Sequence, residues 1–163
     1  MGSINTLSII FGLLMPPAMA TRLPKSQVID SYVSRYLQAR EPITLEKDSQ
    51  GTMQEFSPTD LSAGKILFEQ HCLNCYVGGA TLPDSSVPLS LSALQGSAPP
   101  RDNIGSLVAF LREPMTYNGT DFTYWCCQVP ATWMSQTEIE NLAAFVLRAA
   151  QKAPGRGATQ FDL

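Results

Sequence analysis

The sequence predicts a small all-α domain with a short N-terminal β-hairpin and long ordered loops, and three observations predict it. Apolar residues recur at helical spacing in four stretches, each opened by a residue able to cap free amides. Two short runs flank a polar turn cluster in the manner of a hairpin. Twelve Pro, eleven Gly and a single His are distributed over 163 residues, which favours helices joined by irregular segments. At this length the chain supplies one core.

In chain order, residues 1 to 20 (MGSINTLSIIFGLLMPPAMA) hold an apolar run from Leu7 to Met15, the pair Pro16-Pro17 and an Ala18-Met19-Ala20 end. Small residues in that pattern suit signal peptidase, so export with cleavage after Ala20 is expected. The n-region has no Lys or Arg, and an N-terminus that stays attached is the alternative. The run falls well short of the roughly 20 apolar residues of a spanning helix.

Ser26 can cap a helix in which Val28, Ile29, Tyr32, Val33, Tyr36 and Leu37 share a face, ending near Ala39 before Pro42. Ile43 to Leu45 and Thr52 to Phe56 surround Asp48-Ser49-Gln50-Gly51, a hairpin signature. Ser57, Pro58 and Asp60 then read as cap, first helical residue and first-turn acid of a helix running to about Asn74. Its inward set is Leu61, Ile66, Leu67 and Phe68. From Val77 to Pro100 periodicity is weak, and a long loop over the core is expected. Arg101-Asp102-Asn103 opens a helix with Ile104, Leu107, Val108 and Leu111 on one face, stopped by Pro114; Asp102 is its expected cap. Ser135-Gln136-Thr137-Glu138 is a capping box, followed by Ile139, Leu142, Ala143 and Val146 until Pro154-Gly155. The divisions expected are a signal peptide (1–20), an N-terminal arm with hairpin (21–56) and the main domain (57–163).

Composition excludes several functions. Eleven Lys+Arg against fourteen Asp+Glu give a net charge of -3, and no stretch clusters the basic residues, so nucleic acid is not a partner. A hydrophobic share of 44% with 15% charged residues describes a chain that folds. One histidine, His71, leaves no room for a His-rich metal site, and nothing calls for an enzyme or a catalytic residue.

The four cysteines stand as Cys72-Leu73-Asn74-Cys75 and Cys126-Cys127. A C-x-x-C pair can close a disulfide, act as a dithiol, supply half a zinc site or carry a c-type haem on two thioethers. Adjacent cysteines make a poor tetrahedral pair and a strained disulfide, which speaks against zinc. A thioredoxin-like motif opens a helix, whereas this one closes a helix. Haem attachment usually takes C-x-x-C-H; here Tyr76 follows.

Gly64-Lys65 with Leu67-Phe68, the C-x-x-C followed by Val77-Gly78-Gly79, Pro99-Pro100-Arg101-Asp102-Asn103-Ile104 with Leu107-Val108, then Pro114 and Thr116-Tyr117 with Gly119 together resemble a known family. They are similar to the extrinsic low-potential cytochrome c subunit of photosystem II, and most of all to its cyanobacterial cytochrome c-like paralogue with a cysteine distal ligand. The resemblance spans nearly all of the chain beyond residue 20. It implies a cytochrome c-like fold, one covalent c-type haem, photosystem II lumenal subunits as partners and a thylakoid lumen address.

It also implies roles residue by residue. Cys72 and Cys75 take the haem-attachment positions, with a structural disulfide or free dithiol as alternatives. Tyr76 occupies the proximal position; a phenolate there needs the ferric ion to drive ionisation, since an ordinary tyrosine ionises at about pH 10. A packed aromatic is the other reading. Cys126 or Cys127 falls at the distal position, and one of the two would bind iron as thiolate, because coordination deprotonates a thiol. His71, five residues before Tyr76, would face another way on the helix, and a solvent-facing histidine is the plainer reading. Met115 and Met134 are soft ligands in principle and core fillers by habit. Tyr117, Phe122, Tyr124, Trp125 and Trp133 either wall a haem crevice or form a plain core. Arg101 is expected to be structural, pairing with a haem propionate where haem is present. Asn118-Gly119-Thr120 matches a glycosylation sequon and is read as a turn.

Three functions fit these readings: a photosystem II-associated cytochrome that stabilises the oxygen-evolving complex or transfers electrons, a diffusible electron carrier, or a haem-free structural subunit with Cys72 joined to Cys75. Self-association into a homodimer stays open.

Overall fold

The computed structural model describes residues 28–72, 89–123 and 128–152. Residues 1–20, Ser26, Cys75, Tyr76, Tyr124, Trp125, Cys126, Cys127 and the Pro154-Gly155 stop lie outside the described residues. The described elements are α1 (Ser31–Arg35), β1 (Ile43–Glu46), β2 (Met53–Phe56), α2 (Pro58–His71), α3 (Leu91–Gly96), α4 (Ile104–Arg112) and α5 (Gln136–Lys152).

Helix α5 is the axis of the molecule. Its capping box forms as the sequence predicts: the Ser135 amide donates to Glu138 Oε2 at 2.9 Å, and the Glu138 amide donates to Ser135 Oγ at 3.3 Å. Beyond Ile139, Leu142, Ala143 and Val146, the helix also buries Ala144, Phe145, Leu147, Ala149 and Ala150. Helices α2, α3 and α4 all pack on it, so a single apolar stripe is not enough. Its alanines let the neighbouring helices come close.

Helix α2 begins at the expected Ser57 cap, and Asp60 closes it into a capping box, with the Ser57 amide on Asp60 Oδ2 at 2.9 Å and the Asp60 amide on Ser57 Oγ at 3.1 Å. It ends at His71 rather than near Asn74, with Cys72 as its C-cap. Leu61 and Phe68 are buried as expected, but Ile66 is 51% exposed. Ser62 and Gly64 are buried instead, Gly64 lying three residues after Leu61 and four before Phe68 on one face of the helix. Gly64 is where α2 meets α5: an added Cβ would run into the Asn141 carbonyl. Phe68 packs on Phe145 with ring centroids 5.5 Å apart.

The N-terminal arm docks on this pair. The helix expected from Ser26 to Ala39 is shorter, because Asp30 caps it through the Tyr32 amide at 2.7 Å and Gln38 turns out of it at φ 52°. Val28 and Ile29, expected on its inner face, precede it and are exposed, whereas Val33, Leu37 and Ala39 are fully buried. Arg148 of α5 donates to the Leu37 carbonyl at 2.8 Å, and the Asp30 amide donates to Ser62 Oγ at 2.9 Å. The hairpin forms antiparallel, Ile43 opposite Phe56 and Glu46 opposite Met53, burying Leu45 and Phe56.

Lys65 ties arm to helix, with Nζ 3.2 Å from Asp30 Oδ2 and 2.6 Å from Glu69 Oε1. Burial by itself would lower its pKa; the hydrogen bonds to Glu69 and Asp30 outweigh burial and hold it above the ordinary 10.5. A raised folded-state value means the contribution is complete below pH 10.5 and is lost as pH rises through the folded value. Melting temperature should therefore fall more steeply above pH 10.5 in the native protein than in Lys65→Met. Parallel curves would show that the pairing carries no stability.

The segment expected as one long loop contains helix α3. Ser90 caps it through the Ala93 amide at 3.2 Å, and Leu94 is 1% exposed, so one cap and one buried leucine suffice for a short helix that periodicity alone does not show.

Candidate functional site

Two helix ends border the expected site among the described residues. At the first, Cys72 caps α2: its amide donates to the Phe68 carbonyl at 2.8 Å, and its half-buried side chain packs against the core. The Gly64 crossing and the Phe68–Phe145 contact fix this helix end against α5. His71, one residue earlier, is exposed, in agreement with the solvent-facing reading. Cys75 and Tyr76 follow three and four residues later, outside the described residues.

The second is the end of α4. The Val129 amide donates to the Leu111 carbonyl at 2.9 Å, and the Thr123 amide donates to the Pro114 carbonyl at 2.9 Å. Arg112 donates through Nη1 to the Val129 carbonyl at 2.8 Å and through Nη2 to the Met134 carbonyl at 3.0 Å. The chain is thus anchored on both sides of the segment carrying Cys126 and Cys127. Nothing in the sequence marks Arg112 for this role, because a cation in the last helical turn is common for dipole reasons alone.

Met134 is 2% exposed and fills the core. Met115 is half-buried and bridges to Phe122. The described members of the aromatic group are not a core: Tyr117 is 40%, Phe122 42% and Trp133 71% exposed.

Arg101, expected to be structural and to pair with a propionate only where haem is present, is 3% exposed and serves the fold. Its Nη2 donates to the carbonyls of Met115 at 3.0 Å and Thr116 at 2.7 Å, and its guanidinium lies 3.9 Å from the Phe110 ring centre. The loop it holds closes on Asn118, whose Oδ1 accepts from Thr116 Oγ1 at 2.7 Å and Thr120 Oγ1 at 2.9 Å. Gly119 follows at φ 71° against the Ala98 carbonyl, a position that excludes a side chain twice over. The turn reading of this tripeptide holds.

The α4 cap is Asn103 and not Asp102. Asn103 Oδ1 accepts from the Ser106 amide at 2.9 Å, and the Asn103 amide donates to Ser106 Oγ at 3.4 Å. The chain enters the helix one residue later than composition indicates, because the amide side chain completes the box with Ser106. Asn103→Ala should cost about 1 kcal/mol and Asp102→Ala much less. Urea denaturation of the two variants checks this, and the reverse order would reassign the cap.

A helix ending on a thiol, a core built on α5 and a second helix end holding a thiol-bearing segment are features of a c-type cytochrome. The donor set fits such a group: a terminal cysteine can form a thioether, and Phe122, Tyr117 and Trp133 offer large apolar surface on segments flanking the second pair of cysteines. The PsbV2 cytochrome from Thermosynechococcus elongatus has a similar structure, with a TM-score of 0.77 and 47% identity over 80% of this chain and 99% of that one. A cytochrome c-550-like protein from Trichodesmium erythraeum is 54% identical over 80% of this chain and 79% of its own length. A photosystem II extrinsic protein V from Gloeobacter violaceus is 48% identical over 82% of this chain and 72% of its own.

The fold and its relatives define a haem-binding protein of the c type, with a two-stranded sheet beside its helices. The cytochrome c-550 domain matches residues 36–163, and the chain belongs to that family.

Proposed function

We propose that this protein is a low-potential c-type cytochrome that associates with photosystem II on the lumenal side of the thylakoid membrane, stabilising the oxygen-evolving complex or transferring electrons. The observation that carries the reading is the placement of Cys72 at the end of a helix fixed on α5, in a chain 48% identical to a photosystem II extrinsic protein V. Among the described residues no helix is long and apolar enough to cross a membrane, which accords with an extrinsic subunit. Residues 1–20 act as an export signal cleaved after Ala20, 21–56 form the arm and hairpin, and 57–163 the cytochrome domain. The partner is the photosystem, with no role for a homodimer or an enzymatic step.

Cys72 and Cys75 hold the haem by thioethers. One of Cys126 and Cys127 would supply a thiolate to the iron, and Tyr76 would stand where the usual C-x-x-C-H histidine does. A haem there provides a one-electron ferric–ferrous couple. An anionic sulfur donor favours the ferric form, so the potential is low.

A pyridine haemochrome spectrum of protein purified from its own cells tests this reading. A covalent c-type band is expected, with Cys72 and Cys75 protected from alkylation. A colourless protein lacking two titratable thiols would instead establish a disulfide-bonded subunit. Recovery with photosystem II particles after gentle thylakoid lysis is expected; recovery only as a free soluble species would favour the diffusible carrier.

A further inference from the structure

A cleft between the end of α1 and the start of β1 takes no part in the cytochrome reading. It measures about 450 Å³, and Arg35, Gln38, Arg40, Glu41, Pro42 and Ile43 line it. That volume lies within the roughly 300 to 1,000 Å³ of ligand sites. The backbone is bent to make it. Leu37 and Ala39 are both fully buried, which throws Gln38 and Arg40 outward, and Gln38 adopts φ 52°. A left-handed conformation in a residue other than glycine is strained and persists only where the surroundings over-determine it. Here Arg148 of α5 donates to the Leu37 carbonyl at 2.8 Å and to the Gln38 carbonyl at 3.4 Å, while the Ala39 amide donates to the Val33 carbonyl at 3.1 Å.

Arg35 and Arg40 thereby border one cleft, and among the described residues neither side chain makes an ion pair or a hydrogen bond. Both are exposed, and the one carboxylate on the lining, Glu41, leaves the cleft positive on a chain whose net charge is -3. An acidic partner is drawn to this face and repelled by the rest, which orients the encounter. Each guanidinium offers a planar fork that matches a carboxylate. A phosphate dianion would set two charges against Glu41. A peptide can place separate carboxylates opposite Arg35 and Arg40, lay apolar parts on Pro42 and Ile43, and turn a backbone N–H towards Glu41. We propose that this cleft is a docking site for an acidic peptide segment of a partner protein, recognised by Arg35 and Arg40.

Hexaglutamate titrated into the isotope-labelled full chain at low salt tests this, with nuclear magnetic resonance locating the binding and fluorescence anisotropy measuring it. Shifts should concentrate at residues 34–43, and hexaglutamine should cause none. Arg35→Gln and Arg40→Gln should each weaken binding about threefold and the double variant about tenfold, the scale of exposed charge pairs. Lys47→Gln, outside the cleft, should change nothing. Neither arginine is buried or bonded, so the variants should fold, and an unchanged melting temperature checks that. Native affinity in the double variant, or shifts scattered over the surface, would overturn the proposal. Inorganic phosphate binding at the same amides as tightly as hexaglutamate would also overturn it, by showing a general anion site. So would capture by phosphatidylglycerol vesicles through the same two arginines without competition from hexaglutamate, which would mark a membrane contact.

Discussion

Gly64→Ala should be among the most damaging single-methyl additions in this protein, lowering stability by about 2 kcal/mol and the melting temperature by about 6 °C. The added carbon would overlap the Asn141 carbonyl of α5 and lie 2.9 Å from Phe145 Cβ, so backbone has to move on one side of the crossing. Backbone in mid-helix cannot rotate away as a side-chain tip can. Removing a mid-helix glycine gains about 1 kcal/mol of helix propensity, which offsets only part of an overpacking cost at the upper end of the usual range. Ile66→Ala, on the exposed side of the same helix, is the control and should stay within about 0.5 kcal/mol. Denaturant midpoints of the two variants decide the matter: equal midpoints would mean that α2 and α5 do not meet as closely as described. The effect should also reach the haem, because α2 carries Cys72 at its end, and a displaced α2 should lower the yield of covalent attachment.

The second large effect concerns the iron. Serine at the ligating member of Cys126 and Cys127 should remove the thiolate features and raise the reduction potential. The expected rise is on the order of 0.1 V, within the roughly 0.8 V over which axial ligands set haem potentials. Serine at the neighbour should do little. Tyr76→His should supply the nitrogen ligand usual after C-x-x-C and move the visible spectrum towards a six-coordinate low-spin form. Redox titration with optical spectra of the three variants measures all of this. If none of the three alters spectrum or potential, the proposed coordination is wrong and the ligand must be sought elsewhere, beginning with His71.

Local signals were legible wherever a few neighbouring residues suffice to make the structure. The boxes Ser57 with Asp60 and Ser135 with Glu138, the hairpin around Asp48 to Gly51 and the turn at Asn118 are each closed by bonds spanning at most four residues. Ser90 carries the same kind of signal, yet only one buried leucine stands behind it, so periodicity does not reveal helix α3. Asn103 shows the limit in register: Asp102 and Asn103 can each cap, and only the bond to Ser106 chooses between them.

By itself, then, the sequence determined a largely helical fold, the caps at Ser57 and Ser135 and the hairpin, since these depend on residue type and short spacing. Only the tertiary structure decided that Gly64 is a contact point, that Arg101 serves a loop and that Arg112 holds the chain beyond the second cysteine pair. Each depends on groups brought together across long stretches of chain: Gly64 meets Asn141, and the two arginines bond carbonyls 14 to 22 residues away. A backbone carbonyl is the same chemical group at every residue, so composition cannot say which one an arginine will find. That choice is made by the crossing of α2 and α4 over α5, which brings particular carbonyls within reach.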